Sequence, residues 1–448
     1  MKYKKIGKTD LFASCIGLGT FEIGGSSWWD ELDDKKSIGT IRTALDLGVN
    51  FIDTAAVYGY GHSEQLIGHA IKGCRDKVIL ATKVGEEFTG YNEGRFHYNH
   101  DGKNVYTCLT KKAIIRQIED SLRNLDTDYI DIYSPHYYFD DNSIGSIEDA
   151  MDAFLTLKKQ GKIRYVSVSN MTYEHLKKFN EANELGVCGM QLFCNVLDHD
   201  ILRSSLGKYL VENGLSAFGI NTMAKGLLTG DFPDDYQVKA GSERSESPWF
   251  LDGRIAKVNE MLRSWAPLCE KYSASTSAIA IAWTLAQPGF THIMAGAVEP
   301  EHVKANTDAS DIELEPEEIT FLTNAAEKLK AETIDGEREN ARRIFEKLAR
   351  DRTPVILWGA GVTADYISKR LSLDQCNIIA VVDSNPDLRG QTRFNCSVMP
   401  LNHILTLRDD AKIVVLIPSE ETKLNAILNK LGNKKESIHM GKLKATCK

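Results

Sequence analysis

Residues 50–71 read NFIDTAAVYGYGHSEQLIGHAI, and the architecture of the chain can be worked outward from them. An apolar run, Phe51 and Ile52, ends in an acid, Asp53. Tyr58 follows in a glycine-rich turn, and Ser63 and Glu64 open an amphipathic helix. Strand, turn and helix in that order make one βα unit. Ending a buried strand in a carboxylate is costly unless something nearby needs the charge. The stretch therefore asks what needs an acid at Asp53 and a phenol at Tyr58.

The same unit recurs to about residue 310. Strand candidates are SCIGLGT (14–20), NFIDTA (50–55), VILATK (78–83), YIDIYSPH (129–136), IRYVSVSN (163–170), GMQLFCN (189–195), LSAFGIN (215–221) and THIMAGA (291–297). Between them lie helical patterns such as TKKAIIRQIEDSLRNL, with apolar residues three and four apart. Eight βα units with right-handed crossovers predict a parallel (β/α)8 TIM barrel. The leading MKYKKIGKTDLFA is expected to be a hairpin closing the bottom. A doubly wound sheet is the rival, but no glycine-rich fingerprint follows the first strand. The long connection 223–290 belongs on the catalytic side, where loops of that size usually have a task.

After the barrel (1–325) the chain turns charged and helical (326–353), and then the pattern restarts. TPVILWGAGVTADYISKRL, NIIAVVDSNP and AKIVVLIPSEETKLNAILNKL predict a small parallel α/β, Rossmann-like module over 354–448. The fold class is thus α/β, a TIM barrel followed by that module. A chain of 448 residues is long enough for both.

Composition narrows the function. Hydrophobic residues make up 42% and charged residues 26%, the balance of a globular protein. A net charge of −8 gives no electrostatic reason for a nucleic-acid or acidic-membrane partner. No apolar stretch approaches the roughly 20 residues of a membrane span. The basic start lacks the apolar core of a signal peptide. Nine cysteines without CxxC pairs suggest reduced thiols and a cytoplasmic location. HYNH (His97 to His100) beside Asp101 reads as a polar loop with no second cluster, so no metal is expected.

Asp53, Lys83, His136, Asn170 and Gln191 each stand near the end of a different predicted strand. In a barrel those ends converge on one mouth, where active sites are built. Singly, each has an ordinary explanation as a cap, a strand-end charge or a core histidine; together they suggest carbonyl reduction. Hydride delivery to a C=O leaves charge on oxygen, so a proton donor must stand there. Tyr58 is that donor, an adjacent Lys83 ammonium would favour its phenolate, and Asp53 is the counter-ion that keeps Lys83 charged. His136 can orient the same oxygen.

GLGTFEIGG, FIDTAAVYGYGHSEQLIG, ILATKVG, DYIDIYSPH, VSVSN, MQLFCN, GLLTG and PEHVKAN occur in this order and resemble the aldo-keto reductase superfamily over about 1–325. The resemblance implies a barrel that uses NADPH or NADH without a Rossmann fold. It implies a catalytic tetrad of Asp53, Tyr58, Lys83 and His136, with Tyr58 the general acid. It also implies that Ser169, Asn170 and Gln191 hold the nicotinamide amide and that Asn306 contacts adenine. Gly19, Thr20, Ile220, Asn221, Met223, Gly296 and His302 would line the rest of the cofactor. Three departures bear on whether the cofactor is NADP or NAD. Ile220-Asn221-Thr222 replaces the family's aromatic-Ser-Pro run, Val298 and His302 stand where an arginine often meets the 2′-phosphate, and Ala305 replaces a glutamate. A phosphate clamp without its guanidinium loses charge-assisted bonds, which leaves NADH, or dual use with Lys304 compensating.

Loops after strands one, three, four and seven would wall the substrate site with Trp28, Trp29, Phe88, Tyr137, Tyr138 and Trp249. In the module, GAGVTA (359–364) fits G-x-G-x-x-A between strand and helix, with Asp383 ending the next strand. VILWGAG, VVDSNPDLRGQ and VMPLNHI resemble the small domain attached to sugar acyltransferases and sugar C-methyltransferases. That implies a second nucleotide or nucleotide-sugar site at Gly359, Gly361 and Asp383, and a sugar-like carbonyl substrate from carbohydrate biosynthesis. Two other function classes are a cofactor-sensing protein on the same barrel and a redox-neutral enzyme with tightly bound NAD.

Overall fold

The computed structural model describes residues 1–25, 33–138, 144–182, 185–239, 242–251, 253–360, 373–384, 388–407, 410–416 and 437–439. The chain divides into two compact units, Met1–Asp231 with Leu262–Asn324, and Phe232–Met261 with Ala325–Lys448.

The first unit opens with an antiparallel pair, β1 (Tyr3–Lys5) and β2 (Phe12–Ser14). Strands β3 (Ile16–Gly19), β4 (Phe51–Asp53) and β5 (Ile79–Val84) follow. A short antiparallel sheet comes next, made of β6 (Glu86–Glu87), β7 (Arg95–His100) and β8 (Lys103–Thr107). The parallel series resumes with β9 (Ile130–Pro135), β10 (Ile163–Val166), β11 (Val168–Ser169), β12 (Gly189–Phe193), β13 (Ser216–Ile220) and β14 (Phe290–Gly296). The parallel strands are ordered β10-β9-β5-β4-β3-β14-β13-β12-β11. β10 and β11 are two pieces of one strand interrupted at Ser167, the first paired with β9 and the second with β12. Both ends of the sheet thus lie on one segment, and the eight expected strands run round a (β/α)8 barrel. Every residue of β5 and β9 is buried, which is why these strands read as continuous apolar runs rather than alternating ones.

The helices around this sheet are α1 (Asp34–Asp46), α2 (His62–Ala70), α3 (Lys111–Asn124), α4 (Ile147–Lys159), α5 (Tyr173–Glu181) and α6 (Ser205–Asn213). After β13 come α7 (Arg254–Arg263), which belongs largely to the second unit, α8 (Ala266–Tyr272) and α9 (Thr276–Leu285), and after β14 come α10 (Pro300–Asp308) and α11 (Pro316–Lys330), whose last turns belong to the second unit. Helix α3 shows the local logic. Its buried Ala113, Ile114, Gln117, Ile118, Ser121 and Leu122 recur three and four apart on one face. Thr110 caps it, Oγ1 accepting from the Ala113 amide at 3.3 Å. Asp33, Ser146, Thr172, Ser204 and Ser275 cap α1, α4, α5, α6 and α9 in the same way.

The β1–β2 hairpin closes the N-terminal end of the barrel. Ile6, Leu11 and Ala13 pack into one cluster with Phe51, Ile79, Phe218 and Met294, each large side chain contributing roughly 1.5–3 kcal/mol. His292, in the same layer, has Nε2 3.2 Å from the Lys4 carbonyl, and burial pushes its imidazole down to about 4. The functional rim is therefore the opposite, C-terminal one.

The polar stretch 95–107, expected as a loop, is instead the β7–β8 hairpin. Its two turn residues, Asp101 (φ 50) and Gly102 (φ 74), are both left-handed. That is the twist a two-residue hairpin loop requires, and Asp-Gly between alternating residues is its sequence signal.

In the second unit, a π-helical turn (Ala331–Asp335) leads into α12 (Gly336–Arg350). A sheet follows, of β15 (Pro354–Trp358), β16 (Asn377–Asp383), β17 (Thr392–Arg393), β18 (Cys396–Pro400), β19 (Lys412–Val415) and β20 (Ser437–His439). Its order is β17-β18-β16-β15-β19-β20, parallel except for the β17–β18 pair. Alternate residues serve opposite faces. Val355, Leu357, Val381 and Val414 pack with Phe345 and Leu348 of α12. Ile356, Trp358, Val382 and Ile413 pack with Ile404. Among the described residues, no helix is long and apolar enough to cross a membrane.

Candidate active site

At the C-terminal rim the structure brings together the polar residues that the sequence scatters. Asp53 ends β4 at 4% exposure and Lys83 stands in β5 at 2%. Lys83 Nζ donates to Asp53 Oδ2 at 2.8 Å, to the Thr54 carbonyl at 2.7 Å and to the Tyr58 hydroxyl at 3.2 Å. The other carboxylate oxygen, Oδ1, accepts from Gln191 Nε2 at 2.6 Å. Asp53 thus has a charged partner and a neutral one, which is how a buried carboxylate is retained.

Tyr58 is held by its turn. The backbone is left-handed at Gly59 (φ 58), Tyr60 (φ 55) and Gly61 (φ 98). A Cβ at Gly59 would lie 2.1 Å from the Gly24 carbonyl oxygen, so the loop after β3 packs directly on this turn. The Tyr58 ring meets Phe21 at 4.9 Å and, edge-on, His136 at 5.8 Å. Below it, Val57, Ala55 and Val105 form a small apolar cluster with Tyr60, Phe88 and Tyr98. Phe88 therefore anchors the hairpin to the tyrosine turn.

His136 follows β9 at 8% exposure, its amide donating to the Val84 carbonyl at 2.8 Å. Its Nδ1 faces Oε2 of Glu86, an acid at 5% exposure. Sequence reasoning missed this residue, because Glu86-Glu87 after a strand reads as a solvated acidic pair. Tyr137 lies against His136 at 4.9 Å and against His97 at 4.8 Å. Tyr138 points elsewhere, packing on His175 and Phe179.

On the other side of Asp53 runs a chain of amides and hydroxyls. Asn170 Nδ2 donates to the His136 carbonyl and to Ser169 Oγ, both at 3.1 Å. Ser169 Oγ lies 3.5 Å from Gln191 Oε1. Thr20 is wholly buried, its hydroxyl donating to the Asp53 carbonyl at 2.9 Å beside Gly19, the last residue of β3. Asn170 (φ 49) and, after β13 and Ile220, Asn221 (φ 57), Ala224 (φ 50) and Lys225 (φ 58) are left-handed without being glycine. Such strain persists where a ligand site over-determines the backbone. Met223 lies within this loop. Asn306 Nδ2 donates to the Gly296 carbonyl at 3.0 Å, and Glu22 carboxylate oxygens rest 2.7 Å from where a Gly296 Cβ would stand. His302 is exposed on α10, and Glu299, the residue before Pro300 that begins the helix, is ion-paired with Lys36.

This donor set fits a nicotinamide dinucleotide. Paired amides and a hydroxyl suit a carboxamide, and a left-handed loop containing Lys225 suits a diphosphate.

Trp28, Trp29 and Gly361 lie outside the described residues. Trp249 is fully buried in the second unit. In that unit Gly359 is left-handed (φ 117), and Asp383 Oδ2 accepts from the Ala360 amide at 2.7 Å.

The aldo/keto reductase family model matches residues 15–327. The chain is 33% identical over 331 residues to the NADH-specific methylglyoxal reductase of Escherichia coli (strain K12), covering 73% of this chain and 99% of that protein. It is 32% identical over 340 residues to the aldo-keto reductase YhdN of Bacillus subtilis (strain 168), covering 75% of this chain and 97% of that one. A glycerol dehydrogenase structure from Gluconobacter oxydans superposes with a TM-score of 0.64 at 29% identity, covering 74% of this chain and 95% of that one. The barrel, the residues at its rim and these likenesses agree, and the chain belongs to the aldo/keto reductase family.

Proposed function

We propose that the barrel reduces an aldehyde or ketone to the alcohol, with Tyr58 giving the proton. The observation that carries this is Lys83 Nζ standing between Asp53 Oδ2 at 2.8 Å and the Tyr58 hydroxyl at 3.2 Å. A reduced nicotinamide dinucleotide, when bound, supplies the hydride to the carbonyl carbon. Tyr58 protonates the carbonyl oxygen, and the Lys83 ammonium stabilises the phenolate left behind. Asp53 offsets the cost of burying Lys83, and Gln191 fixes the second Asp53 oxygen. His136 donates to the same carbonyl oxygen and orients it. Ser169, Asn170 and Gln191 would hold the nicotinamide amide, the loop through Asn221 and Met223 the diphosphate, and Asn306 the adenosine end. The test is oxidation of reduced nicotinamide with methylglyoxal and with small sugar aldehydes. Turnover on the sugars supports the sugar-like substrate that the second unit's resemblance suggests, and turnover on methylglyoxal alone removes it.

For the cofactor, the reading is NADH. Val298 brings no charge to the start of α10, and the acid Glu299 stands beside it. A 2′-phosphate there would meet the Glu299–Lys36 ion pair instead of a guanidinium. The relative from Escherichia coli is NADH-specific. Titration by nicotinamide fluorescence should show tighter binding of NADH than NADPH, and His302→Arg should narrow the gap through charge-assisted bonds. Tight NADPH binding by the wild type would overturn the assignment.

For the second unit, the reading is a Rossmann-like module that takes a nucleotide or nucleotide sugar near Gly359 and Asp383. The parallel order, with β15 central and successive strands added on both sides, supports it, because ligands bind at such switch points. Calorimetric titration with a uridine diphosphate sugar and with NAD+ tests this. Saturable heat in protein whose barrel is already saturated with NADH supports a second site, and no heat removes it.

A further inference from the structure

Glu86 is a buried acid that the chemistry above leaves unused. It begins β6 just beyond the strand that carries Lys83, and it stands between two imidazoles. Oε2 contacts His136 Nδ1, and Oε1 lies 3.6 Å from Nδ1 of His97 on β7. Burial pushes the Glu86 carboxyl up, but the charge of His136 and its hydrogen bond, followed by those of His97, outweigh this and hold it far below the usual carboxylate range. Tyr98, next along β7, is driven far above the usual phenol range by burial and then by the Glu86 charge. Both directions describe an anion at Glu86.

The consequence for His136 is geometric. A nitrogen that faces a carboxylate carries a hydrogen, so Nδ1 of His136 is a donor. Nε2 is the nitrogen left for the substrate, and it can donate to a carbonyl oxygen only if it carries a hydrogen as well. Among the described residues, Glu86 is the carboxylate in contact with this ring. Lys83 and Asp53 neutralise each other, Glu87 is taken by Arg116 at 2.5 Å, and Tyr58, Tyr60, Tyr98 and Tyr137 are phenols. We propose that Glu86 is a positioning residue that keeps hydrogens on both nitrogens of His136, so that Nε2 presents a donor to the carbonyl oxygen. His97, delivered by the hairpin, stands 3.6 Å from the second oxygen. The proposal rests on the reading of His136 as the group that orients the carbonyl.

The test compares wild type, Glu86→Gln and Glu86→Asp. NADH oxidation with methylglyoxal is followed from about pH 5.5 to 9, and imidazole nitrogen spectra are recorded on histidine-labelled protein; both windows span the ordinary histidine range. The wild type should hold its kcat through that range and show His136 doubly protonated at pH 7.5. Glu86→Gln should lose about tenfold or more in kcat at pH 8, recover toward wild type below about pH 6, where solvent supplies the second proton, and bind NADH as before. Glu86→Asp should restore part of the loss. A purely structural role would lower the rate equally at every pH, and that profile would overturn the proposal. So would a neutral His136 ring in the wild type at pH 7.5, which decides the matter even if Glu86→Gln does not fold. Absence of NADH oxidation by the wild type would instead remove the reductase reading, while the spectra would still report on Glu86.

Discussion

Asp53 is charged where it is 4% exposed, and the positions of Lys83 and Gln191 explain how. This part of the site was legible in the sequence, because a polar residue at the end of an apolar run must have a partner, and eight such runs in a barrel converge. Glu86 was not legible. Its partner His136 is fifty residues away, and nothing local distinguishes a buried acid from a solvated one. A second buried acid, Glu64, behaves in the opposite way. Thr82 Oγ1 donates to its Oε1 at 2.8 Å and Asn124 Nδ2 to its Oε2 at 3.1 Å. Neither donor is charged, and burial pushes the carboxyl up. With the folded value above the unfolded one, the stability Glu64 contributes is fully present below the unfolded value and is lost as pH rises through the folded value. Glu64→Gln should therefore melt close to wild type near pH 4 and gain on it progressively toward pH 8. Parallel melting curves across that range would refute the assignment.

At the level of elements, the barrel strands were legible because parallel strands buried on both faces leave unbroken apolar runs. The helices were legible from their 3.6 period. The β7–β8 hairpin was overlooked, although Asp101-Gly102 between alternating residues is a hairpin signal. Two substitutions separate framework from site at this scale. Thr110→Ala removes the cap of α3 and should cost about 1 kcal/mol of stability, with kcat close to wild type; calorimetry and steady-state kinetics check both. Gly59→Ala should act differently, because the added Cβ meets the Gly24 carbonyl and the tyrosine turn must shift. Displacing a catalytic group by about 1 Å can cost about 100-fold, so kcat should fall steeply while NADH affinity stays. Unchanged kcat in Gly59→Ala would show that the turn does not set the position of Tyr58.

For the whole molecule, the family match ends at residue 327, and the sheet built on β15 to β20 lies beyond it. The barrel's activity was legible in the sequence because its motifs sit on strand ends that the fold must bring together. The task of the second unit was less legible, since a glycine turn followed by an acid also serves structure, as the Asp383 contact to the Ala360 amide illustrates. Ile220 stands where the family resemblance implies an aromatic ring, so the weight of catalysis falls on the proposed tetrad. The most direct test of it is a single turnover of NADH with excess carbonyl substrate, followed by nicotinamide absorbance, in wild type and in Tyr58→Phe. The variant should bind NADH normally and oxidise it at least about 100-fold more slowly, the loss expected when a general acid is removed. Oxidation at the wild-type rate by Tyr58→Phe would contradict that role for Tyr58.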